Sequence, residues 1–440
     1  QPATRASALR CSRPNMNGAW SFVSPQIKPV AGGPYHPSVR YSACSVAYDG
    51  QLVVTHGYHY NHDEKHPAWK SDAWSFSLGT HKWRKVHEGE DAGAPSARYS
   101  GSCVLWDHAL WMYGGDDGGH KYSMNNYVFG AHFSEMWRLD LRTFAWKRVE
   151  YASAAPPKRA LHAAVVLGTS MYVYGGLELS DTWRYDFPSR KWTMLVAAQT
   201  GNKDPNHPGR RHALKAAAGD GCFYIFGGGR HGAGFKPKAF NDLFKFTVAT
   251  STWSAVTPIS DAAPGPRSHH SLLSLSPRAL LLYGGALCIP GCKCYGDTWV
   301  FDTVANEWHA INATDAPIHR YRQSLVLDER DGSLYLFGGE SYRPYMYHNA
   351  VNKLVLSGPK LRELAPPRAA LAPTPAAAAT SAGAPQTATL TSTPSLSATA
   401  GELPTWSYYA VAVAAGAGLA LRWYCTRPKK AYHPLDSLVS

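Results

Sequence analysis

The chain has 440 residues, of which 17% are charged and 12% aromatic, and its formal net charge is +13. Residues 1–359 hold 37 basic and 28 acidic residues, spread without a run of Lys or Arg. Nucleic-acid binding is therefore not expected, because proteins that bind nucleic acid concentrate basic residues in a patch or a groove motif.

One spacing occurs five times without a change of length. An acidic residue stands two positions before a large aromatic residue, and a tryptophan follows that aromatic residue by nine. The copies are Asp72/Trp74/Trp83, Glu135/Trp137/Trp146, Asp181/Trp183/Trp192, Asp242/Phe244/Trp253 and Asp297/Trp299/Trp308. A repeat of this length indicates one supersecondary unit per copy, and it overrides the two or three domains that length alone would suggest.

An apolar run that ends in a glycine pair precedes each copy. The runs are V-V-T-H-G at 53–57, where His56 replaces the first glycine, and then W-M-Y-G-G, Y-V-Y-G-G, Y-I-F-G-G and L-L-Y-G-G, ending at Gly115, Gly176, Gly228 and Gly285. A sixth run, Y-L-F-G-G, ends at Gly339. The glycines are expected where the backbone leaves the strand in a conformation that a Cβ atom would obstruct.

Each repeat is predicted to contain four antiparallel strands. The apolar runs 163–167 and 171–174 are separated by a short turn, which is typical of a β-hairpin. Trp183 and Tyr185 alternate as in a third strand, and the tryptophan nine residues downstream lies on a fourth. Four strands that recur every 52–61 residues, from one glycine pair to the next, predict a β-propeller built blade by blade.

Together, the glycine doublet, variable loop, acid-x-aromatic motif and distal tryptophan resemble the kelch repeat over residues 20 to about 356. The sixth copy departs from the pattern, because no tryptophan follows Gly339. Near the other terminus, G-A-W-S-F-V at 18–23 has a tryptophan without a preceding glycine pair. We expect the strand of Trp20 to complete the last blade, as the ring closures of the family imply. The predicted fold is an all-β, six-bladed kelch-type β-propeller over residues 1–359, closed without a free edge.

The composition changes after the propeller. Of residues 365–404, 13 are Ala, 11 are Ser or Thr and 7 are Pro, so 360–404 is predicted to be a disordered stalk. Residues 406–421 are uncharged and flanked by aromatic residues, and we predict one transmembrane helix at 405–424. The basic tail 425–440 would then be cytoplasmic and the propeller extracellular or lumenal, a single-pass type I arrangement. The alternative is a tail-anchored protein with a cytosolic propeller.

Two further features bear on the compartment. Asn312-Ala313-Thr314 is a glycosylation sequon in a predicted inter-blade loop. Two of three crowded cysteines could form a disulfide in an oxidising compartment, and a metal site is the weaker interpretation; they are Cys288, Cys292 and Cys294. Cys44, Cys103 and Cys222 fall within apolar strands and are predicted to be small core residues.

An arginine stands before each predicted first strand, 16 to 18 residues ahead of the first glycine-pair position. Equivalent positions in a ring face a common axis, so the six arginines should share one face with the loops that follow the glycine pairs. We predict that they bind a partner through bidentate ion pairs. The alternative, that they brace the blades by bonding backbone carbonyls, stays open. The six are Arg40, Arg98, Arg159, Arg211, Arg267 and Arg320.

Five of the six loops after the glycine pairs are long: 58–71, 116–134, 229–241, 286–296 and 340–351. They contain aromatic residues expected to be exposed, including Tyr342 and Tyr345. Variable loops on a rigid scaffold are common binding sites. With the arginines, they predict recognition of an acidic peptide or an anionic glycan by a monomeric propeller.

No enzymatic activity, cofactor or metal is expected. Some kelch-type propellers resemble galactose oxidase and bind copper through Tyr and His, and His59, His62 and His66 are the densest histidine group here. The mixed charge of their loop favours a solvated loop instead. No nucleophile elbow, phosphate loop or zinc-protease motif is present. We therefore expect a membrane-tethered binding scaffold, with a tail-anchored cytosolic adaptor and a galactose oxidase-like enzyme as the alternatives.

Overall fold

The computed structural model describes residues 16–25, 36–61, 66–89, 93–118, 121–123, 126–128, 131–177, 179–199, 204–231, 237–260, 262–287, 293–342 and 344–365. These residues form five four-stranded sheets, one five-stranded sheet and four two-stranded hairpins. The six larger sheets are the blades of an all-β propeller, as predicted.

The strands are numbered in chain order. The first, β1, spans Asn17–Ser24. Blade 1 contains β2 (Cys44–Tyr48), β3 (Gln51–Asn61), β4 (His66–Ser77) and β5 (Trp83–His87). Blade 2 contains β6 (Ser102–Trp106), β7 (Ala109–Tyr113), the hairpin β8 (Lys121–Ser123) and β9 (Asn126–Val128), then β10 (Met136–Asp140) and β11 (Trp146–Val149). Blade 3 contains β12 (Ala163–Leu167), β13 (Ser170–Tyr174), β14 (Thr182–Asp186) and β15 (Lys191–Val196).

Blade 4 contains β16 (Ala216–Ala218), β17 (Cys222–Phe226), the hairpin β18 (Gly229–His231) and β19 (Pro237–Ala239), then β20 (Leu243–Thr247) and β21 (Thr252–Val256). Blade 5 contains β22 (Ser271–Ser276), β23 (Ala279–Tyr283), the hairpin β24 (Ala286–Leu287) and β25 (Lys293–Cys294), then β26 (Thr298–Asp302) and β27 (Glu307–Ala310). The short β28 (Asn312–Thr314) follows and joins the sheet of blade 6. Blade 6 contains β29 (Ser324–Leu327), β30 (Leu334–Phe337), the hairpin β31 (Glu340–Tyr342) and β32 (Tyr345–Tyr347), then β33 (Val351–Ser357).

The N-terminal strand completes blade 6. β1 pairs antiparallel with β33, with Trp20 opposite Leu354. On its other side β1 pairs parallel with β28, with Asn17 opposite Asn312. The predicted closure of the last blade by the strand of Trp20 is therefore confirmed, and both edges of β1 are paired.

The hydrophobic core is divided among the interfaces between neighbouring blades. Six clusters of buried residues occur, and each joins two adjacent blades. In every blade the tryptophan of the outermost strand packs on a ring near the end of the second strand of the preceding blade. The pairs, by centroid distance, are Trp83–Phe337 (5.3 Å), Trp146–His56 (5.7 Å), Trp192–Tyr113 (5.0 Å), Trp253–Tyr174 (4.7 Å), Trp308–Phe226 (5.3 Å) and Trp20–Tyr283 (5.0 Å).

The first member of each glycine pair approaches the next blade closely. Gly114 has a φ of +67°, and a Cβ atom there would lie 2.5 Å from the carbonyl oxygen of Arg159. In blade 1 the equivalent residue is His56, which also adopts a positive φ, 59°. Its ring packs on Trp146, as a tyrosine or phenylalanine packs on the tryptophan at four of the other blade interfaces and at ring closure, so His56 contributes to the interface between blades 1 and 2.

A short helix, α1 (Pro359–Leu364), follows β33. Leu361 and Leu364 are buried in the core cluster that contains Trp20, and the Ser276 hydroxyl donates a hydrogen bond of 2.6 Å to the Leu364 carbonyl. Arg278 bonds both Asp302 and Glu363. The first residues of the predicted stalk 360–404 thus belong to a helix that packs on the propeller, and the stalk beyond Ala365 stays a prediction.

One cysteine pair differs from the prediction. Cys44 and Cys103, predicted to be separate core residues, form a disulfide with their Cα atoms 5.5 Å apart. The bond joins the first strands of blades 1 and 2, which lie side by side where these two blades pack. Cys222 is a buried thiol in the core between blades 4 and 5. Cys288 and Cys292 lie outside the described residues, so the predicted pairing in their loop stays a prediction.

Within the described residues, no helix has the length and apolar character needed to cross a bilayer. The predicted transmembrane helix at 405–424, its tail at 425–440 and the stalk beyond residue 365 lie outside these residues.

Closure by β1 predicts a large cost for Trp20→Ala. Trp20 is 3% exposed and packs on Tyr283, so its truncation should lower the free energy of unfolding by about 3–5 kcal/mol. Phe22 lies on the same strand but is 69% exposed, so Phe22→Ala should change that free energy by less than about 0.5 kcal/mol. Guanidinium titrations of the full chain measure both variants, and equal effects would contradict closure by this strand.

Candidate functional site

The loops after the glycine pairs and the segments before the first strands lie at the same end of the propeller. Main-chain bridges join them, for example Tyr41 to Tyr58, Tyr99 to Asp116 and Ser268 to Ala286. We call this end the loop face. The five loops predicted to be long all contain hairpin strands, either as extensions of β3 and β4 or as separate two-stranded sheets.

The six repeat arginines lie at this end, but their side chains point into the protein. Each is 0–2% exposed, and each guanidinium donates to the carbonyl of the first glycine-pair residue of its own blade. In blades 1 to 5 it also pairs with the repeat acid of that blade. In blade 3, Arg159 bonds both carboxylate oxygens of Asp181 at 2.9 Å.

The backbone of the same arginines ties the blades together. The N–H of the second glycine-pair residue donates to the arginine carbonyl of the next blade, for example Gly115 to Arg159 at 3.0 Å. The bond from Gly339 to Arg40, 2.9 Å, closes this series around the ring. These contacts support the bracing role that the sequence left open. The predicted contact of the six guanidiniums with a partner stays a prediction, and their burial gives it no support.

The spacing between the acid and the aromatic residue has a direct physical reason. The indole N–H of Trp74, two residues after Asp72, donates to its carboxylate at 2.7 Å, and Trp183 and Trp299 bond their acids at the same distance. Burial alone would raise the pKa of Asp72, but the Arg40 ion pair and the Trp74 hydrogen bond lower it to about 2.

Blade 6 lacks the acid. β30 pairs with β33 so that Phe337 lies opposite Val351, which places Ala350 at the position of the repeat acid. Arg320 still donates to the carbonyls of Gly338 and Ile318. No carboxylate among the described residues forms an ion pair with it, and burial lowers its pKa.

A second closed series of hydrogen bonds surrounds the mouth of the central channel. Two positions after each repeat arginine the residue has a φ of 49–58°. Its N–H donates to the carbonyl of the equivalent residue in the preceding blade, at 2.7–3.2 Å. The six are Ser42, Ser100, Leu161, Ala213, His269 and Arg322. These six positions were not predicted from the sequence, because their side chains have nothing in common. Only their constant position, two residues after a repeat arginine, could have identified them.

The loop face contains a tyrosine cluster that spans blades 6, 1 and 2. We define it as Tyr41, Tyr58, Tyr99 and Tyr347. The ring of Tyr41 lies 5.1, 6.3 and 5.8 Å from those of Tyr58, Tyr99 and Tyr347, by centroid. Trp69 extends the cluster, 5.5 Å from Tyr58. Tyr41 and Tyr99 directly follow repeat arginines, a signal that sequence reasoning did not use.

An ion pair between half-buried Arg322 and buried Glu340 lies beneath the tyrosine cluster. The Arg322 guanidinium stands 4.8 Å from the centre of the Tyr41 ring and bonds Glu340 at 3.0 Å. Burial opposes the charge of Arg322, but Glu340 outweighs it and raises the pKa of Arg322. Burial likewise raises the pKa of Tyr41, so its hydroxyl stays protonated at neutral pH.

Tyr342 and Tyr345 lie at the tip of the hairpin in blade 6 and are 38% and 49% exposed. The Tyr345 hydroxyl lies 2.7 Å from that of Tyr347, which links this tip to the tyrosine cluster. These two predicted binding residues therefore lie at the surface of the loop face.

The opposite side of the loop face is basic. In blade 4, exposed Lys238 stands 5.0 Å from the centre of the Phe240 ring, and in blade 5, exposed Lys293 stands 5.0 Å from the centre of Tyr295. The same rings cover Arg211 and Arg267 at 4.4 and 4.0 Å. Each aromatic ring thus contacts a buried guanidinium and an exposed ammonium group.

Asn312 lies on β28 with an exposed side chain, so the strand presents the sequon at the surface. Among the residues that the structure describes, no group of three or more His, Cys, Asp and Glu side chains is arranged to hold a metal ion. His59 is 9% exposed against Tyr347, and His62 lies outside those residues.

Comparison with known proteins agrees with this geometry. The family described as the KLHDC2/KLHL20/DRC7 kelch-repeats domain matches residues 16–176 and 128–339. The chain belongs to the kelch-repeat family. It is similar to Kelch domain-containing protein 3 of Bos taurus, with 26% identity over 339 residues that cover 72% of this chain and 80% of that protein.

Two other kelch proteins are also similar. Kelch domain-containing protein 2 of Bos taurus is 23% identical over 350 residues, which cover 70% of this chain and 80% of that protein. Leucine-zipper-like transcriptional regulator 1 of Mus musculus is 24% identical over 204 residues, which cover 44% of this chain and 22% of that protein.

The missing acid of blade 6 allows a matched test of the arginines. Arg159→Met leaves the carboxylate of Asp181, 4% exposed, without its cation and should cost about 3–5 kcal/mol of unfolding free energy. Arg320→Met leaves only carbonyl oxygens unpaired and should cost less, about 1–3 kcal/mol. Denaturant titration measures both losses. The double variant Arg159→Met/Asp181→Leu should recover part of the loss, and equal costs for the two single variants would contradict the assigned role of the ion pair.

Proposed function

We propose that this kelch propeller is a non-enzymatic interaction module that binds an acidic segment of a protein partner across its loop face. The tyrosine cluster is the observation that carries the proposal. Its rings come from three blades, and Tyr342 and Tyr345 beside it remain well exposed.

The chemistry of the loop face supports a protein ligand. Tyrosine is enriched at protein interfaces because it combines a large apolar ring, a polar tip and few rotatable bonds. The contacts of Tyr41 with three neighbouring rings hold the cluster in place, which reduces the entropy lost on binding.

Charge supports an acidic ligand. Lys238 and Lys293 are exposed on blades 4 and 5, whereas two acids of the loop-face hairpins, Asp116 and Glu340, are only 2% and 3% exposed. A ligand that crosses the channel mouth would meet aromatic rings on one side and ammonium groups on the other. Aromatic and acidic residues in one segment would satisfy both sides.

We also propose that residues 405–424 tether the propeller to a membrane, with the propeller outside the cytoplasm. The Cys44–Cys103 bond supports this topology, because disulfides persist in oxidising compartments and are rare in the cytosol. The exposed sequon at Asn312 is compatible with it. A tail-anchored protein with a cytosolic propeller is the competing topology.

The binding proposal predicts the result of a peptide selection. A displayed peptide library selected on the full chain should yield peptides that contain acidic and aromatic residues. Tyr342→Ala/Tyr345→Ala should weaken the selected peptides at least about tenfold, because central tyrosines often dominate binding energy. Lys238→Glu/Lys293→Glu should weaken them and reduce the salt dependence of binding.

The control variant is Val304→Ala, whose side chain is 74% exposed in the turn between β26 and β27, at the end opposite the loop face. It should bind as the unaltered chain does. Peptides without acidic residues, or equal affinity for all variants, would refute the proposed ligand.

The topology proposal predicts two modifications of protein isolated from native membranes. Mass spectrometry without reductant should find a cross-linked peptide pair that contains Cys44 and Cys103. Glycosidase treatment should reduce the mass of the unaltered chain but not of Asn312→Gln. Reduced Cys44 and Cys103, together with an unmodified Asn312, would support the cytosolic topology instead.

A further inference from the structure

The first strands of the six blades line a central channel, and it contains a cavity of about 200 Å³. Its lining includes Lys215, Arg322 and three histidines, together with serine hydroxyls and the Cys44–Cys103 bond, but no aspartate or glutamate. The histidines are His162, His269 and His270. The cavity is therefore rich in cations and hydrogen-bond donors, and no carboxylate faces it.

At two blade interfaces, polar side chains in this lining share a hydrogen bond across the interface. In each case the residue four positions after the repeat arginine of one blade contacts the residue three positions after the repeat arginine of the following blade. Between blades 2 and 3, the Ser102 hydroxyl lies 2.7 Å from Nε2 of His162. Between blades 5 and 6, Nε2 of Gln323 donates to the Ser271 hydroxyl at 3.2 Å.

The equivalent positions between blades 4 and 5 hold Lys215 and His270. His270 is 1% exposed, and neither of its ring nitrogens has a hydrogen-bond partner among the described residues. Lys215 forms no ion pair within that same part of the chain, and its side chain is exposed inside the channel. The Ser102–His162 and Ser271–Gln323 pairs each share a hydrogen bond, whereas both ring nitrogens of His270 lack one among the described residues.

The electrostatics of the channel agree with this geometry. The walls of the channel partly desolvate Lys215 and lower its pKa, although its side chain is exposed to the channel. Burial lowers the pKa of His270 to about 3, and the cations Arg267 and Lys215 add to the effect. The other channel cation, Arg322, is already neutralised by Glu340. An anion at Lys215 would stabilise the charged ammonium group, and its oxygens would supply the acceptor that the ring N–H of His270 lacks among the described residues.

We propose that the channel binds one small tetrahedral oxyanion, of the size of sulfate or phosphate, between Lys215 and His270. Lys215 supplies the charge, and His270 donates a ring N–H to the bound oxygen. Backbone and hydroxyl groups of the neighbouring first strands complete the surroundings. This site lies inside the channel and does not depend on the ligand proposed for the loop face.

The neighbouring blades supply conservative test variants. Lys215→Ser and His270→Gln reproduce the Ser271–Gln323 pair of the next interface, so both should fold. Lys147→Ser removes the same charge from an exposed strand of blade 2 and serves as the matched control.

The experiment measures the melting temperature of the full chain against sodium sulfate and sodium phosphate, with sodium chloride at equal ionic strength as reference. The unaltered chain and Lys147→Ser should show a saturable rise with sulfate or phosphate beyond that with chloride. Lys215→Ser should raise the half-saturating concentration at least tenfold, and His270→Gln should raise it by a smaller factor. No saturable effect in the unaltered chain, or an unchanged half-saturating concentration in folded Lys215→Ser, would overturn the proposal.

Discussion

Six buried arginines hold this propeller together, and each makes contacts in two directions. The side chain binds its own blade, through a glycine carbonyl and in five blades a carboxylate, while the backbone carbonyl accepts a hydrogen bond from the preceding blade. A buried guanidinium is costly unless its donors are satisfied, and a five-donor fork is well suited to two acceptors at fixed positions. The recurring acid and its tryptophan are best understood as the partners of this group.

The same arrangement explains why the loop face can differ between blades. The arginines, glycine pairs and interface tryptophans fix each blade against its neighbours. The hairpins beyond the glycine pairs therefore contribute few of the contacts that hold the blades together. Blade 3 has almost no loop, whereas blade 1 extends β3 and β4 into a long ribbon. Tyr58, Tyr347 and the two exposed lysines therefore lie on loops that differ from blade to blade.

Much of the fold could be predicted from the sequence because its determinants are local spacings. The distance from acid to tryptophan, the glycine pairs and the isolated Trp20 together predict six blades and their closure. The candidate site was harder to predict, because its parts meet only across blades. Nothing local brings Cys44 to Cys103, and the tyrosine cluster needs Tyr347 of the last blade beside Tyr41 of the first. The burial of the arginines depends on partners 22 to 37 residues away.

The six residues around the channel mouth are joined by backbone hydrogen bonds, so their side chains can change during evolution. Serine, leucine, alanine, histidine and arginine all occupy the left-handed conformation there, and none of the six is glycine. This ring of hydrogen bonds requires only one N–H and one carbonyl group from each blade, so the side chains can differ. A substitution at any of the six positions could therefore make the entrance to the channel more apolar, polar or charged, while the ring of backbone hydrogen bonds stays the same.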